Sequence, residues 1–179
     1  MTASSDPQIL IKQGKKAFEN EQFEAAARLF EQAVQIQKNT DDEPGAAESA
    51  NNASVAYLKA GLPSEAMQAA LGTDLIFAKI GDLRRQGIAL GNIAAAHEAL
   101  GSFEAALECY RRSADLLKEA GDSEYLSFAL HNLSTLQLRT GQQLEALASM
   151  HSSLENRKKL SLRDRIMKKF LKAPFKGLK

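Results

Sequence analysis

A period of forty residues runs through this chain and restricts what it can fold into. Glycine, asparagine and alanine return at this one spacing several times. The clearest matches are Gly81 with Gly121, Asn92 with Asn132, Gly101 with Gly141, and Ala106 with Ala146. Self-similarity at a fixed step of this size indicates a repeat array, in which one supersecondary unit stacks on copies of itself.

The same step leads back towards the N-terminus. Asn52 and Ala66 lie forty residues before their counterparts in the third copy, and Gly14 and Ala26 belong to a still earlier one. The 179 residues of the chain suit a single domain. We therefore predict four copies, over approximately 7–40, 44–80, 83–120 and 123–160.

Each copy reads as two helices. Apolar residues recur three and four positions apart, and β-branched runs are almost absent. The turn inside a copy is marked by Gly61, Gly101 or Gly141, because glycine ends a helix in the left-handed region without a steric penalty. In the second copy, Pro63 is predicted to begin one continuous helix that ends near Ile80. The short connections predict antiparallel neighbours and an all-α fold.

Small residues recur at two places in every copy. A small residue in the first helix is followed twelve positions later by an alanine in the second, so the two helices can approach closely. The pairs are Gly14 with Ala26, Ser54 with Ala66, Ala94 with Ala106, and Ser134 with Ala146. The second copy has additional alanines, which predicts a thinner core there; they are Ala46, Ala47, Ala50, Ala53 and Ala56.

Three segments lie outside the four copies. Residues 1–6 are predicted to be disordered. Residues 161–173 are predicted to form a basic amphipathic helix that caps the last copy, ended by Pro174. Residues 174–179 are predicted to form a flexible basic tail.

The predicted C-terminal helix has a defined start and one apolar face. Ser161 can cap it, and Asp164 lies where an acid completes a capping box. The apolar stripe consists of Leu162, Ile166 and Phe170, with Met167 beside it.

Charge is distributed unevenly along the chain. The total is +1, but residues 157–179 hold ten Lys or Arg and one Asp, a net of +9, which leaves −8 for the rest. Four interpretations of this basic segment stay open. It caps the array, lies on an anionic membrane surface, contacts nucleic acid without any base-reading motif, or docks on the acidic body of the same chain.

Motifs of enzymes and cofactor sites are missing from the sequence. It has no Gly-rich phosphate loop, no His-Glu-x-x-His and no Gly-x-Ser-x-Gly, so we predict a non-catalytic protein without a cofactor. His97, His131 and His151 lack the spacing of metal ligands, and Cys109 is the single cysteine. Because no secretory signal or long apolar run is present, we expect a cytoplasmic protein.

Residues 92–110 carry a resemblance to a known family. They read Asn-Ile-Ala-Ala-Ala-His-Glu-Ala-Leu-Gly-Ser-Phe-Glu-Ala-Ala-Leu-Glu-Cys-Tyr. This phrase resembles a tetratricopeptide repeat, whose usual period is about 34 residues. The longer period is similar to that of the subclass found in G-protein-signalling modulators and kinesin light chains. The resemblance covers roughly residues 7–160.

The resemblance implies a right-handed α-solenoid of four antiparallel helix pairs. In this family a concave groove, lined by the first helix of each pair, holds an extended or helical segment of a partner protein. The expected function is therefore that of a non-catalytic adaptor or scaffold. The alternative is a peripheral membrane- or nucleic-acid-associated adaptor that acts through the basic C-terminal segment. A homodimer formed through an uncapped end of the array also stays open.

Three asparagines are the main candidates for ligand contact in such a groove: Asn52, Asn92 and Asn132. A side-chain amide has both a donor and an acceptor, so a ladder of three can pair with the backbone of a bound peptide. The structural alternative is that each amide bonds a neighbouring helix end and holds the stack together.

Basic residues near the predicted groove are the second group of candidates. Lys12, Lys15, Arg84, Arg85 and Arg139 are predicted to favour acidic peptides, although each also fits a solvated face. The third copy has Ile88 and Asn92 where a chaperone-type carboxylate clamp of the family needs basic groups, which argues against a dedicated clamp. Further groove positions are Glu48, Val55, Ile88, Ala95, Phe128 and Thr135.

Overall fold

The computed structural model describes residues 6–175, with side chains described as far as Leu171. The predictions for residues 1–5 and 176–179 lie outside the described residues. Ten helices occupy the described range. They are α1 Pro7–Glu19, α2 Phe23–Asn39, α3 Glu43–Lys59, α4 Pro63–Ala70, α5 Thr73–Lys79, α6 Leu83–Ala99, α7 Phe103–Glu119, α8 Ser123–Arg139, α9 Gln143–Asn156 and α10 Leu162–Phe175.

Consecutive helices pack into pairs, and each pair packs on the next. The pairs are α1 with α2, α3 with α4 and α5, α6 with α7, and α8 with α9, while α10 packs on α9. The four pairs occupy residues 7–39, 43–79, 83–119 and 123–156. The ranges predicted from the sequence were 7–40, 44–80, 83–120 and 123–160. The predicted fold class, an all-α array of helix pairs with a C-terminal helix on the last pair, is confirmed.

An aspartate begins the first helix of every pair. The Asp42 carboxylate accepts from the Gly45 N–H at 2.9 Å, and the Asp82 carboxylate accepts from the Arg85 N–H at 2.9 Å. Asp6 and Asp122 cap α1 and α8 in the same way. The first N–H groups of a helix have no partner inside it, so each cap satisfies a donor that is otherwise unpaired.

The turn inside each pair is made by a residue in the left-handed region. Gly61, Gly101 and Gly141 have φ values of 76°, 78° and 80°. In the first pair Glu21 takes this place with a φ of 59°, although it has a side chain. Asp41 has a φ of 57° in the turn before α3, so both turns of the first repeat use residues other than glycine.

The small residues picked out by the twelve-residue spacing lie where the paired helices cross. Ala26, Ala66, Ala106 and Ala146 all have zero exposure. Their partners in the first helices are also buried, and they are Gly14, Ser54, Ala94 and Ser134. A Cβ at Gly14 would lie 2.8 Å from the Phe30 ring, so glycine is what allows α1 to approach α2 this closely.

The second helix of the second pair is broken, so the prediction of one continuous helix from Pro63 to near Ile80 is wrong. Leu71 has an extended backbone and Gly72 has a φ of 79°, which separates α4 from α5. The Thr73 hydroxyl donates to the Ala70 carbonyl at 2.7 Å and also lies 3.1 Å from the Asn51 side-chain oxygen. These buried contacts stabilise the break, because Thr73 satisfies a carbonyl that the interrupted helix leaves unpaired.

Helix α10 begins as predicted, with a reciprocal capping box. The Asp164 N–H donates to the Ser161 hydroxyl at 3.2 Å, and the Ser161 N–H donates to the Asp164 carboxylate at 3.1 Å. The helix includes Pro174 and ends at Phe175, one residue beyond the proline that was predicted to end it. None of the helices in the described range is long and apolar enough to cross a membrane.

The apolar stripe of α10 faces away from the array. Leu171 is buried against the last pair, whereas Leu162 and Phe170 are each 75% exposed and Ile166 is 51% exposed. Helix α10 therefore covers α9 with the face that contains Leu171, and the stripe seen in the sequence stays in solvent.

Candidate functional site

A cleft of about 780 Å³ lies on the face formed by the first helices of the first three pairs and the start of α8. It includes five of the eight predicted ligand-binding residues: Lys15, Asn52, Arg84, Arg85 and Asn92. The predicted groove positions Glu48, Val55 and Ile88 line it as well. The remaining lining residues are Phe18, Glu19, Phe30, Asn51, Phe77 and Tyr125.

Asn52 and Asn92 occupy equivalent places in α3 and α6. Both side chains are half-buried in the wall of the cleft. Across residues 6–175, neither side-chain amide makes a hydrogen bond to another group of the protein. Because a half-buried amide has two donors and an acceptor to satisfy, these two groups are available to a ligand or to water.

Asn51 differs from Asn52, although it is the next residue in the helix. It is 6% exposed and its oxygen accepts from the Thr73 hydroxyl across the break between α4 and α5. The sequence left open that an asparagine of the ladder bonds a neighbouring helix and holds the stack together. A contact of this kind is made by Asn51, which is one position before Asn52.

Arg84 and Arg85 are both held by carboxylates of the protein. Arg84 Nε donates to Asp122 at 2.7 Å, and Arg85 Nε donates to Asp82 at 2.6 Å. The hydrogen bond to Asp122 raises the pKa of the Arg84 guanidinium. Glu48 also lies 3.6 Å from Arg85. Neither guanidinium is free, because its charge is already compensated.

Aromatic rings support these two arginines. The Arg84 guanidinium lies 5.1 Å from the Tyr125 ring centre, and the Arg85 guanidinium lies 4.9 Å from the Phe77 ring centre. Cation–π contacts of this geometry fix the planar groups in place. The arginines consequently form part of the rigid wall of the cleft.

Lys15 and Lys12 lie on α1, and only Lys15 lines the cleft. Both side chains are exposed, and no salt bridge to either is present in the described part of the chain. Lys15 is the one predicted basic residue of the cleft whose charge is not compensated by a carboxylate within the described residues, while Lys12 is not part of the cleft lining.

Asn132 and Arg139 are placed in a different cluster, between α8 and the preceding pair. Arg139 pairs with Glu98 and lies 5.1 Å from the Phe103 ring centre. The Tyr110 hydroxyl donates to Glu98 at 3.3 Å, and Asn132 lies beside the same hydroxyl. Burial and the nearby Glu98 carboxylate raise the pKa of Tyr110. The third member of the predicted ladder therefore has a partner within the protein.

Sequence reasoning missed the aromatic part of the cleft. Phe77 is fully buried at its base, and Tyr125 is 40% exposed at its rim. A signal for Tyr125 was present, because it lies one forty-residue period after Arg85. Phe77 had no such signal.

A second groove, of about 830 Å³, lies on the opposite side of α3, between α2 and the broken helices α4 and α5. Its floor consists of Ala46, Ala47, Ala50 and Ala53. The later copies have Leu90 and Leu130 at the position of Ala50. We call this groove the alanine furrow. At its edge, burial and a hydrogen bond to Glu31 raise the pKa of Tyr57 to about 12.

The cysteine and histidines form no chemical centre in the residues that the structure describes. No group of three or more His, Cys, Asp or Glu side chains there is arranged to hold a metal ion. Cys109 is partly buried, and this burial raises the pKa of its thiol. His97 is half-buried in α6, at the position that the sequence predicts for a packing residue.

Residues 85–159 match the family described as tetratricopeptide repeat. Over this range the chain is similar to tetratricopeptide repeats. The match includes α7, α8, α9 and nearly all of α6. No curated protein sequence matches the chain. The predicted resemblance to this family is confirmed, and tetratricopeptide repeats are protein-interaction modules.

Solved structures have the same fold over nearly the whole chain. RapI in its apo form has 16% identity and a TM-score of 0.76 over 96% of this chain. The aspartyl phosphate phosphatase F of Bacillus subtilis has 14% identity and a TM-score of 0.78 over 96% of this chain. This chain spans 64% of the first protein and 45% of the second.

A third structure has the same fold over its whole length. It contains the nearly identical TPR-like repeats of a kinesin light chain from Podosopora anserina, with 20% identity and a TM-score of 0.70. The match covers 98% of this chain and 99% of that one. The predicted similarity to the kinesin light chain subclass of tetratricopeptide repeats is consistent with this match, which at such low identity shows the fold alone.

Proposed function

We propose that the cleft binds an extended segment of another protein and that the chain acts as a non-catalytic adaptor or scaffold. The observation that carries this proposal is the pair Asn52 and Asn92. Both amides are half-buried in one cleft, and neither has a hydrogen-bond partner within residues 6–175. Polar groups at this level of burial normally have partners, which supports a ligand that supplies them.

The chemistry of an amide favours an extended ligand over a helical one. A helix uses its backbone N–H and C=O groups internally, whereas an extended chain leaves them free. Asn52 and Asn92 can each donate to a ligand carbonyl and accept from a ligand N–H. Pairing of this kind fixes the ligand's register while leaving its side-chain sequence largely unspecified.

Selectivity would come from the apolar part of the cleft. Phe18, Val55 and Ile88 are partly buried there, and Tyr125 is exposed at the rim. Burial of ligand side chains against these groups contributes roughly 25 cal/mol per Å² of apolar surface removed from water. We therefore propose a ligand with apolar side chains on the face that enters the cleft.

Charge has a smaller role than the sequence suggested. Arg84 and Arg85 are paired with Asp122 and Asp82, so Lys15 is the one predicted cation of the cleft without a salt bridge in the described residues. A preference for acidic ligands needs uncompensated cations, so we do not extend it to these arginines. We also assign Asn132 and Arg139 to the packing of α8, since both have partners there.

The test begins with selection of peptides from a random display library on the wild-type protein. The selected peptides are then titrated against the wild type and the double variant Asn52→Ala/Asn92→Ala by fluorescence anisotropy. Loss of two hydrogen-bonding groups should weaken binding about ten- to a hundred-fold. Circular dichroism checks that the double variant is folded.

Two further variants complete the experiment. Asn39→Ala removes an exposed amide at the end of α2 and should bind like the wild type. Ala50→Leu fills the alanine furrow and should also leave binding unchanged. If Ala50→Leu abolishes binding while the double variant retains it, the ligand occupies the furrow and the proposal is wrong.

A further inference from the structure

The outward face of α10 combines an apolar stripe with cations on both of its sides. Leu162, Ile166 and Phe170 are spaced four residues apart and lie on one side of the helix. They are among the most exposed large apolar side chains of the described chain, at 75%, 51% and 75%. We call them the outer stripe, and with Arg163 and Met167 they line a shallow apolar depression.

The inward face of α10 packs against the rest of the protein. Leu171 is 7% exposed, and Asp164 pairs with Arg157 at 3.2 Å. Lys158, in the connection before the helix, pairs with Glu124 at 3.3 Å. Helix α10 is thus fixed to the last repeat by one face, and the outer stripe contributes nothing to that attachment.

The cations beside the outer stripe are uncompensated. Arg163 lies on one side of the stripe, and Arg165 and Lys169 lie on the other, as the helical spacing requires. All three are exposed, and none forms a salt bridge within the described residues. In sequence, α10 contains five basic residues and one acidic residue, an excess of four positive charges.

We propose that the outward face of α10 binds an anionic membrane surface, with the helix axis in the plane of the interface. Amphipathic helices of this type bury an apolar face at the level of the acyl chains, while Lys and Arg reach anionic headgroups. The outer stripe has no polar atom that would specify a protein surface. Two copies of α10 packed stripe to stripe would bring Arg163, Arg165 and Lys169 close to the same cations of the other copy.

Because the chain contains no tryptophan, one substitution supplies a unique fluorescent reporter. Phe170→Trp places the reporter in the outer stripe. Leu144→Trp is the matched control, since Leu144 is 78% exposed but lies on α9. Both full-length variants are mixed with vesicles of phosphatidylcholine alone and with vesicles of equimolar phosphatidylcholine and phosphatidylserine.

The expected result is a blue shift of the Phe170→Trp emission with the anionic vesicles and no shift with phosphatidylcholine alone. High salt should reverse it, because exposed charges are screened. The Leu144→Trp emission should stay unchanged throughout. In vesicle flotation, Arg163→Gln/Arg165→Gln/Lys169→Gln should reduce the bound fraction at least tenfold, whereas Lys12→Gln/Lys15→Gln/Lys16→Gln on α1 should not.

Three results would overturn the proposal. The first is no emission shift of Phe170→Trp with anionic vesicles at low salt. The second is an equal response to both vesicle types, which would mean that the cations have no role. The third is a shift that depends on protein concentration without lipid, which would assign the outer stripe to a second copy of the chain.

Discussion

Arg84 donates from Nε to the Asp122 carboxylate at 2.7 Å and so joins the start of α6 to the start of α8. The same carboxylate accepts from the N–H groups of Glu124 and Tyr125. One side chain therefore caps a helix and links two consecutive repeats. In an array whose stability depends on contacts between neighbours, such a group affects more than its own helix.

Asp122→Ala should lower the free energy of unfolding by about 1–2 kcal/mol, because the cap and the ion pair are both lost. Asp122→Asn keeps a capping side chain and should cost less. Arg84→Ala should cost under about 1 kcal/mol, since the arginine is half exposed. Urea unfolding measures all three, and a double-mutant cycle gives the coupling energy. A coupling indistinguishable from zero would show that the ion pair contributes no stability.

Lowering the pH should weaken the contacts of the Asp122 carboxylate. Burial raises the pKa of Asp122, but the hydrogen bonds from Tyr125 and Arg84 outweigh it, and the net pKa is lowered. Folding therefore gains stability from the ionised carboxylate at a pH above the ordinary aspartate pKa of about 4. The gain is lost as the pH falls through the folded-state pKa, and the loss should be smaller in Asp122→Asn, which cannot titrate.

Gly87 and Gly91 lie one turn apart on α6. Replacement of each by alanine should change the stability of the protein in opposite directions. A Cβ at Gly87 would lie 2.8 Å from Leu117 and 3.2 Å from the Ser113 carbonyl, so Gly87→Ala should destabilise by about 1–3 kcal/mol. A Cβ at Gly91 would lie 3.4 Å from the Ser113 hydroxyl. Gly91→Ala should therefore stabilise by about 0.5–1 kcal/mol through helix propensity. Thermal unfolding of both variants measures these changes in stability. Equal changes in the two variants would contradict the close packing at Gly87.

The alanine furrow should accept a larger side chain at Ala50. Leu90 occupies the equivalent place in the third repeat with 2% exposure. Ala50→Leu should raise the free energy of unfolding by about 1 kcal/mol, because part of the added apolar surface is buried. Ala99→Leu, at an exposed position of α6, is the control and should change stability by less than about 0.5 kcal/mol. A loss of stability in Ala50→Leu would mean that the furrow is too narrow for leucine.

Much of the architecture follows from the periodicity of the sequence. The forty-residue step located the helix pairs, and the twelve-residue spacing from Ser54 to Ala66 found the places where paired helices cross. The break at Leu71 and Gly72 escaped prediction, because Gly72 lies in a segment whose apolar spacing suits a continuous helix. The break coincides with a buried tertiary contact between Thr73 and Asn51, which local sequence does not reveal.

Prediction of the site was limited for a related reason. The repeat places Asn52, Asn92 and Asn132 at equivalent positions of their helices. An equivalent position does not determine which side chain lies within hydrogen-bonding distance of each asparagine. Asn132 meets Tyr110, whereas the first two copies have Phe30 and Ala70 at that repeat position, and neither side chain can hydrogen-bond. The pairing of Arg84 with Asp122 likewise joins residues 38 positions apart in separate repeats.

The two turns of the first repeat use Glu21 and Asp41 in a conformation that suits glycine, which costs on the order of 1 kcal/mol at each. Among residues 6–175, this repeat packs on one neighbouring pair only. Local opening should therefore require the least free energy at the N-terminal end, and its amides should be the first of the array to exchange with solvent. Because α1 forms one wall of the cleft, a ligand too long to slide in from an end can be admitted when that wall unfolds and refolds around it.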